Sequence, residues 1–204
     1  MSNRQIDDEK RATLRRFAAL GAASPLVGLG SGTDDETGSS DARDAIVGYV
    51  ASTPGAHFSK VRDDLKLGTG ETQYHLRNLV DDGTLDVRRD GDYKRFFVAE
   101  RFTEFEQVAL GYLRRDTPRG MLVALLRTPE ATGSELASSL DVSRATVSTY
   151  AKELDAVGLL SREDGYAVRE PETVITLLIR YADSFGADAA AFANDAAGLI
   201  RFDP

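Results

Sequence analysis

Two segments of the chain combine hydroxyl, amide and cationic side chains at spacings that bring them to one face of a helix. The earlier segment offers Gln73, Tyr74 and Arg77, and the later one offers Ser143, Arg144, Thr146, Ser148, Thr149 and Lys152. Short hydroxyls and cations suit contacts to phosphate oxygens, whereas amide and guanidinium groups suit hydrogen bonds to base edges. Gln73 could read adenine, and Arg77 could meet guanine or a phosphate. These residue types therefore point to recognition of a nucleic acid.

A further basic cluster surrounds a short turn. The segment Asp90–Gly91–Asp92, typical of the tight turn of a β-hairpin, is flanked by Arg88, Arg89, Lys94 and Arg95. A hairpin with a basic tip can follow a phosphate backbone or enter a minor groove. The alternative is a hairpin whose charged side chains contact only water. The corresponding hairpin later in the chain offers only Arg162 and Arg169, among carboxylates.

These polar and basic side chains lie within an internal repeat of the sequence. Residues 60–85 align without a gap with residues 135–160, at a constant offset of 75, so that Leu65 falls on Leu140 and Gly83 falls on Gly158. Repetition at a fixed period indicates a repeated structural unit. Each copy predicts a short helix, a tight turn, a second helix that a glycine ends, and a hairpin. The predicted helices span 58–66, 71–81, 133–140 and 145–157, and the predicted strands span 85–89, 93–98, 159–162 and 166–169.

The second helix of each copy has a predicted inner face. Its members at helical spacing are Thr72, Leu76 and Leu79 in the first copy and Val147, Ala151 and Leu154 in the second. We interpret His75 as a packing residue rather than as a metal ligand. The polar side chains of the same two helices then remain available to a partner.

Two helices joined by a tight turn and followed by a two-stranded hairpin form a winged helix-turn-helix. The segments GTGETQYHLRNLVDDGTL and SRATVSTYAKELDAVGLL closely resemble the recognition helix and following strand of that family. Over residues 41–170 the chain resembles tandem winged helix-turn-helix transcriptional regulators of the haloarchaeal type, with MarR/ArsR-like winged helices. This resemblance implies sequence-specific binding of double-stranded DNA. It also implies a possible homodimer, because regulators of this kind are commonly dimers on palindromic sites; two units in one chain could instead give pseudo-symmetry within a monomer.

The expected fold is mainly α with small β-hairpin wings (α+β), made of two winged helix-turn-helix units plus C-terminal helices. We divide the chain into an N-terminal helix and flexible linker (1–40), a first winged unit (41–100), a connecting helix with a second winged unit (101–170), and C-terminal helices (171–204). Folded structure is expected from Asp41, as the N-cap of a helix through Ser52. Further helices are predicted at 102–115 and 119–126, after Pro171, and at 187–200. The C-terminal helices could pack onto their own domain or pair with a second copy.

Composition restricts the chemistry. The chain has 204 residues, 25 Lys plus Arg, 33 Asp plus Glu, a net charge of −8 and no cysteine. Disulfides, thiolate metal sites and cysteine nucleophiles are thereby excluded. With two histidines, His57 and His75, and no catalytic triad or phosphate-binding loop, we expect neither an enzyme nor a cofactor. The 21 Asp, 20 Arg and only 5 Lys favour a halophilic protein, whose acidity reflects its surroundings more than its partner. The alternative is an ordinary acidic protein of a mesophile.

Two other interpretations stay open. Residues 17–33 are uncharged and follow Arg15 and Arg16, which raises export or membrane tethering as a minor alternative. A helix over 7–23, followed by a linker at 30–40, in a cytoplasmic protein without a membrane partner, fits the pattern better. The acidic second copy and the apolar C-terminal helices leave a further alternative, a winged-helix module that binds a protein partner without contacting DNA directly.

Overall fold

The computed structural model describes the backbone of residues 3–22 and 37–196, and the side chains of residues 9–20 and 41–196. The chain divides into two compact units, Met1–Phe102 and Thr103–Pro204. The described elements are mainly helices, together with two small antiparallel sheets. The predicted α+β winged-helix class is therefore confirmed.

The first unit contains four helices and a three-stranded sheet in its described part. Its elements are α1 (Asn3–Ala22), α2 (Thr37–Ser52), β1 (Ala56–His57), α3 (Phe58–Asp64), α4 (Thr69–Asp81), β2 (Leu85–Asp90) and β3 (Tyr93–Val98). The strands lie in the order β1-β3-β2, all antiparallel, so that β3 is central. The sequence did not predict β1, because two residues are too short to show a strand period.

Helix α1 belongs to the folded core rather than to an appended segment. Leu14 is buried among the core residues of the first unit, and the Phe17 ring meets the Tyr49 ring edge-on at 5.2 Å. The helix predicted over 7–23 is thus confirmed at Asn3–Ala22. The helix predicted from Asp41 begins earlier, at Thr37, since residues 37–40 are helical although their Gly and Ser content predicted a linker. The rest of that predicted linker, residues 30–36, lies outside the described residues.

The second unit repeats the helix–turn–helix–hairpin order and adds helices on either side. Its elements are α5 (Glu104–Leu113), α6 (Asp116–Arg127), α7 (Gly133–Ser139), α8 (Arg144–Ala156), β4 (Leu160–Ser161), β5 (Ala167–Val168), α9 (Pro171–Arg180), α10 (Ala182–Phe185) and α11 (Ala187–Asp195). The strands β4 and β5 pair antiparallel but have only two residues each, and are therefore shorter than predicted. Residues 197–200 of the last predicted helix lie outside the described residues.

The internal geometry of the two units corresponds at the predicted offset. Helices α3 and α7 begin and end at that same offset, as do α4 and α8. The tight turns match as well, with Lys66 at φ 55° and Asp141 at φ 52°. Gly83 and Gly158 end the second helices at φ 77° and 79°, a left-handed conformation that glycine adopts without steric cost. The shared pattern of the sequence thus encodes the same local structure twice.

The described C-terminal helices pack onto the second unit itself. Phe185 and Phe192 are buried, and Arg119, only 5% exposed, donates from Nε to Asp188 at 2.8 Å. Arg127 pairs with Asp195 at 2.7 Å between α6 and α11. Within the described part of these helices, Phe185 and Phe192 are therefore covered by the unit itself. None of the helices described is both long and apolar enough to cross a membrane.

Candidate nucleic-acid interface

Helix α4 is fixed at its N-terminus by local hydrogen bonds. The Gly68 N–H donates to Glu71 Oε2 at 3.2 Å, and the Thr72 hydroxyl donates to the Gly68 carbonyl at 2.8 Å. Leu65 and Leu67, on either side of the left-handed Lys66, are buried and anchor the turn between α3 and α4. The core therefore holds the turn, and the turn fixes the orientation of α4 relative to α3.

The predicted inner face of α4 is confirmed. Thr72 and Leu79 are fully buried, and Leu76 is 2% exposed. His75 is also buried, at 5% exposure, and loss of hydration lowers its pKa. Its interpretation as a packing residue is therefore confirmed.

The opposite face of α4 presents the three predicted contact residues to solvent. Gln73, Tyr74 and Arg77 are all exposed, Tyr74 at 60%. Arg77 Nε lies 3.8 Å from Asp81 one turn later, and both side chains are more than two-thirds exposed. Such a long and solvated ion pair leaves the guanidinium group available to another anion. That these residues contact DNA stays a prediction.

The hairpin formed by β2 and β3 presents two of its four predicted cations. Arg89 and Lys94 are exposed and lie directly opposite each other across the two strands. Arg88 is half-buried. Two adjacent cations on one hairpin surface form a small positive site of the kind that phosphate oxygens contact.

The fourth predicted cation, Arg95, is an internal residue, and its prediction as a DNA contact was wrong. It is 4% exposed, its Nε forms an ion pair with Asp90, and its Nη1 donates to the Gly55 carbonyl at 3.0 Å. Successive side chains of the central strand β3 alternate between its two faces, so Arg95 lies on the face opposite Lys94, where Asp90 and the Gly55 carbonyl bind its guanidinium group. Arg95 holds the tip of the hairpin to the segment before β1.

A groove of about 1000 Å³ lies between α4 and the hairpin and gathers the exposed groups. Four of the predicted contact residues line it, namely Gln73, Arg77, Arg89 and Lys94. Its apolar lining comes from Phe58, Leu76, Val80, Val87 and Phe96. The fold thus brings cations and an amide from two separate elements, the helix and the hairpin, to one surface, which the carboxylates of Asp81 and Asp92 also line.

Two groove residues were missed by the sequence analysis. Tyr93 is 52% exposed, and its ring lies 5.0 Å from that of His57. His57 is the N-cap of α3, since its Nδ1 accepts from the Lys60 N–H at 3.3 Å. The repeat aligns His57 with Thr132, another N-cap, and this alignment could have revealed its role.

Comparison with known protein families supports this interpretation of the first unit. Residues 40–110 match a family model described as an N-terminal HTH domain. The first unit carries a helix-turn-helix domain. The match covers about a third of the chain and contains α3, α4, the hairpin and most of α2. No curated protein matches the chain.

The second unit places its six predicted contact residues along α8, outside the matched HTH domain. Ser143 is the N-cap of α8, and its Oγ accepts from the Thr146 N–H at 3.0 Å. The Thr149 hydroxyl donates to the Ala145 carbonyl at 2.9 Å. The other three predicted residues, Arg144, Ser148 and Lys152, are exposed. Half of the predicted contact groups of α8 thus take part in hydrogen bonds of the helix itself.

Proposed function

We propose that this protein is a sequence-specific DNA-binding transcriptional regulator. The observation that carries the proposal is the groove of the HTH domain, because exposed groups of α4 and of the hairpin line the same surface. A 13-residue helix is about 20 Å long, and the major groove of B-DNA is about 12 Å wide and admits one helix. In this arrangement Gln73, Tyr74 and Arg77 approach base edges. Arg89 and Lys94 contact phosphates as a wing does.

The proposal extends to the architecture of the whole chain. The second unit repeats the local geometry of the first and acts as the other member of a tandem winged-helix pair. The protein has no enzymatic step, acts in the cytoplasm of a halophilic organism, and binds a palindromic site as a homodimer. Support for these points comes from the repeat, the Asp-rich composition and the symmetry of DNA operators.

A second candidate function is supported by the apolar part of the same groove. Val87 and Tyr93 are 41% and 52% exposed, and Leu76, Val80 and Phe96 line the space between them and α4. Exposed apolar side chains next to a cleft are typical of protein-binding surfaces. In that case the winged helix would bind a protein and would not contact DNA directly.

Chromatin immunoprecipitation of the tagged protein at the native salt concentration distinguishes the two functions. We expect discrete enriched sites for the wild type and their loss in the double variant Arg89→Glu and Lys94→Glu. A variant with Arg101→Glu and Arg180→Glu, two other exposed arginines, changes the net charge equally and should keep the enrichment. Equal enrichment for the wild type and the wing variant would contradict DNA binding through this surface. A stable complex with another protein, unaffected by wing reversal and without DNA enrichment, would support the second function.

A further inference from the structure

Two ion pairs join helix α1 to the helix-turn-helix itself. The Lys10 ammonium lies 3.1 Å from Glu71 Oε2, in the first turn of α4. The neighbouring Glu9 carboxylate lies 2.8 Å from Lys66 Nζ, in the turn between α3 and α4. The Lys66 hydrogen bond and charge lower the pKa of Glu9, so this carboxylate remains ionised near neutral pH. Helix α1 thus supplies a basic partner to Glu71 and an acidic partner to Lys66 of the HTH.

The position of α1 does not depend on these pairs alone. Leu14 is 7% exposed within the core of the first unit, and Phe17 packs edge-on against Tyr49 of α2. The Glu9–Lys66 pair is exposed, with side-chain exposures of 62% and 46%, and the Lys10–Glu71 pair is half-buried, with 31% and 35%. Exposed pairs contribute little to stability. The pairs therefore matter more for the charge that the HTH presents than for holding α1.

Glu71 lies at an unfavourable place for a DNA-binding helix. The first turn of a recognition helix approaches the bases and the adjacent phosphates, and a free carboxylate there repels the DNA backbone. Glu71 also stabilises the start of α4 as the acidic half of a capping box, because its Oε2 accepts from the Gly68 N–H. The second unit differs at the matching position, where Thr146 occurs and the first turn of α8 has no acidic residue. Only the first unit therefore has a carboxylate in the first turn of this helix whose charge must be neutralised.

We propose that α1 sets the charge that the HTH domain presents to DNA, with Lys10 neutralising Glu71 and Glu9 neutralising Lys66. This inference rests on the proposed DNA-binding function. Lys10 and Glu9 are positioning residues in it: they act through Glu71 and Lys66 and need not touch the DNA. The two pairs act in opposite directions, because Lys10 removes a repulsion from phosphate and Glu9 removes an attraction.

Because the two pairs should change DNA affinity in opposite directions, variants can distinguish this role from simple docking of α1. If the pairs only hold α1 in place, breaking either one loosens the unit and weakens DNA binding. If they set the local charge, Lys10→Gln exposes a carboxylate and weakens binding, whereas Glu9→Gln releases Lys66 and tightens it. The double variant Lys10→Gln and Glu71→Gln removes both members of one pair and should restore the affinity. Glutamine at position 71 keeps an oxygen that accepts the Gly68 N–H.

The test uses the full chain and a fluorescein-labelled DNA duplex of mixed sequence and about three helical turns, which is long enough to hold one unit. Fluorescence anisotropy measures Kd for each variant, and circular dichroism measures Tm to verify folding. We expect Kd to rise about 3-fold in Lys10→Gln, to fall about 3-fold in Glu9→Gln, and to return to within about 2-fold of the wild type in the double variant.

Three results are informative. Opposite changes in Kd with restoration in the double variant would support the inference. Changes of the same sign, or no change, in a series whose wild type binds the duplex would overturn the inference and leave the proposed function intact. A wild-type chain that binds neither this duplex nor genomic DNA would overturn the proposed function, and the inference with it. Should Lys10→Gln fail to fold, Glu9→Gln still distinguishes the two roles, since docking of α1 predicts weaker binding and the charge-setting role predicts tighter binding.

Discussion

Arg95 shows how a single residue connects the sequence of the wing to its shape. Arg95 is 4% exposed, and its guanidinium group joins Asp90, next to the hairpin turn, to the Gly55 carbonyl before β1. Removing one partner of a buried ion pair leaves the other charge uncompensated. The orientation of the exposed Lys94 therefore depends on its buried neighbour.

We expect Arg95→Gln to lower the free energy of unfolding by about 2–4 kcal/mol, because the buried ion pair with Asp90 is lost and the Gly55 carbonyl loses a donor. Lys94→Gln, at the adjacent exposed position, is the control and should change it by less than about 0.5 kcal/mol. Urea unfolding followed by circular dichroism measures both. Equal unfolding free energies for the two variants would show that the buried pair does not stabilise the wing.

His57 makes the first unit sensitive to acid. Burial lowers its pKa, and the positive charges of Arg95 and Lys60 lower it further. The unfolded chain therefore binds a proton more readily than the folded one, so stability falls as pH drops below the ordinary histidine pKa of about 6.5. Protonation at Nδ1 also removes the acceptor that caps α3 at the Lys60 N–H.

The variant His57→Thr tests this acid sensitivity with a cap taken from the chain itself. Thr132, the matching N-cap of α7, accepts from the Glu135 N–H through its Oγ1 at 3.3 Å and does not titrate in this range. We expect the loss of unfolding free energy between about pH 7.5 and pH 5.5 to be smaller in the variant than in the wild type. An unchanged loss, measured by urea unfolding at both pH values, would assign the acid sensitivity to other groups, with His75 as the first candidate.

At the scale of elements, Gly70 in the first turn of α4 is unexplained by the fold. A Cβ atom added there meets nothing within 4 Å, and the residue is helical. Glycine lowers helix stability by about 1 kcal/mol relative to alanine. The second unit has Ala145 at the matching position of α8.

The variant Gly70→Ala should therefore raise the free energy of unfolding by about 0.5–1 kcal/mol. The reciprocal change Ala145→Gly should lower the free energy of unfolding by a similar amount. The two variants are a matched pair, because both residues occupy the same position in the first turn of their helices. Thermal unfolding measures both as shifts of Tm. A decrease for Gly70→Ala would mean that the space beside the helix is filled in solution.

The elements that could be predicted from sequence are those with explicit end signals. Helices α4 and α8 lie close to their predicted bounds, because Ser143 caps one and Gly83 and Gly158 end both. The start of α2 was missed because the Thr, Gly and Ser residues at 37–40 have low helix propensity. The site was predicted in part, because a count of basic residues around a turn does not separate the two faces of a strand. Arg95 lies on the face opposite Lys94 and is buried.

At the scale of the whole molecule, the negative charge is unevenly divided between the units. Residues 1–102 carry a net charge of −2 and residues 103–204 carry −6. Phosphate binding depends on local cations and is opposed by the surrounding carboxylates. The first unit therefore offers DNA the more favourable field, although both units have the same local fold.

Arg77 and Lys152 measure this asymmetry directly, because they occupy matching positions of the repeat, on the corresponding helices α4 and α8, and are both exposed. We expect Arg77→Gln to raise the Kd for a DNA duplex about 5- to 10-fold and to reduce the slope of log K against log salt by about 1. Lys152→Gln should change Kd by less than about 2-fold and leave the slope unchanged, since the field of its unit opposes phosphate contact. Anisotropy titrations of the full chain over a salt series give both quantities. Equal losses in the two variants would mean that the units share the phosphate contacts equally, and that net charge does not decide which recognition helix binds DNA.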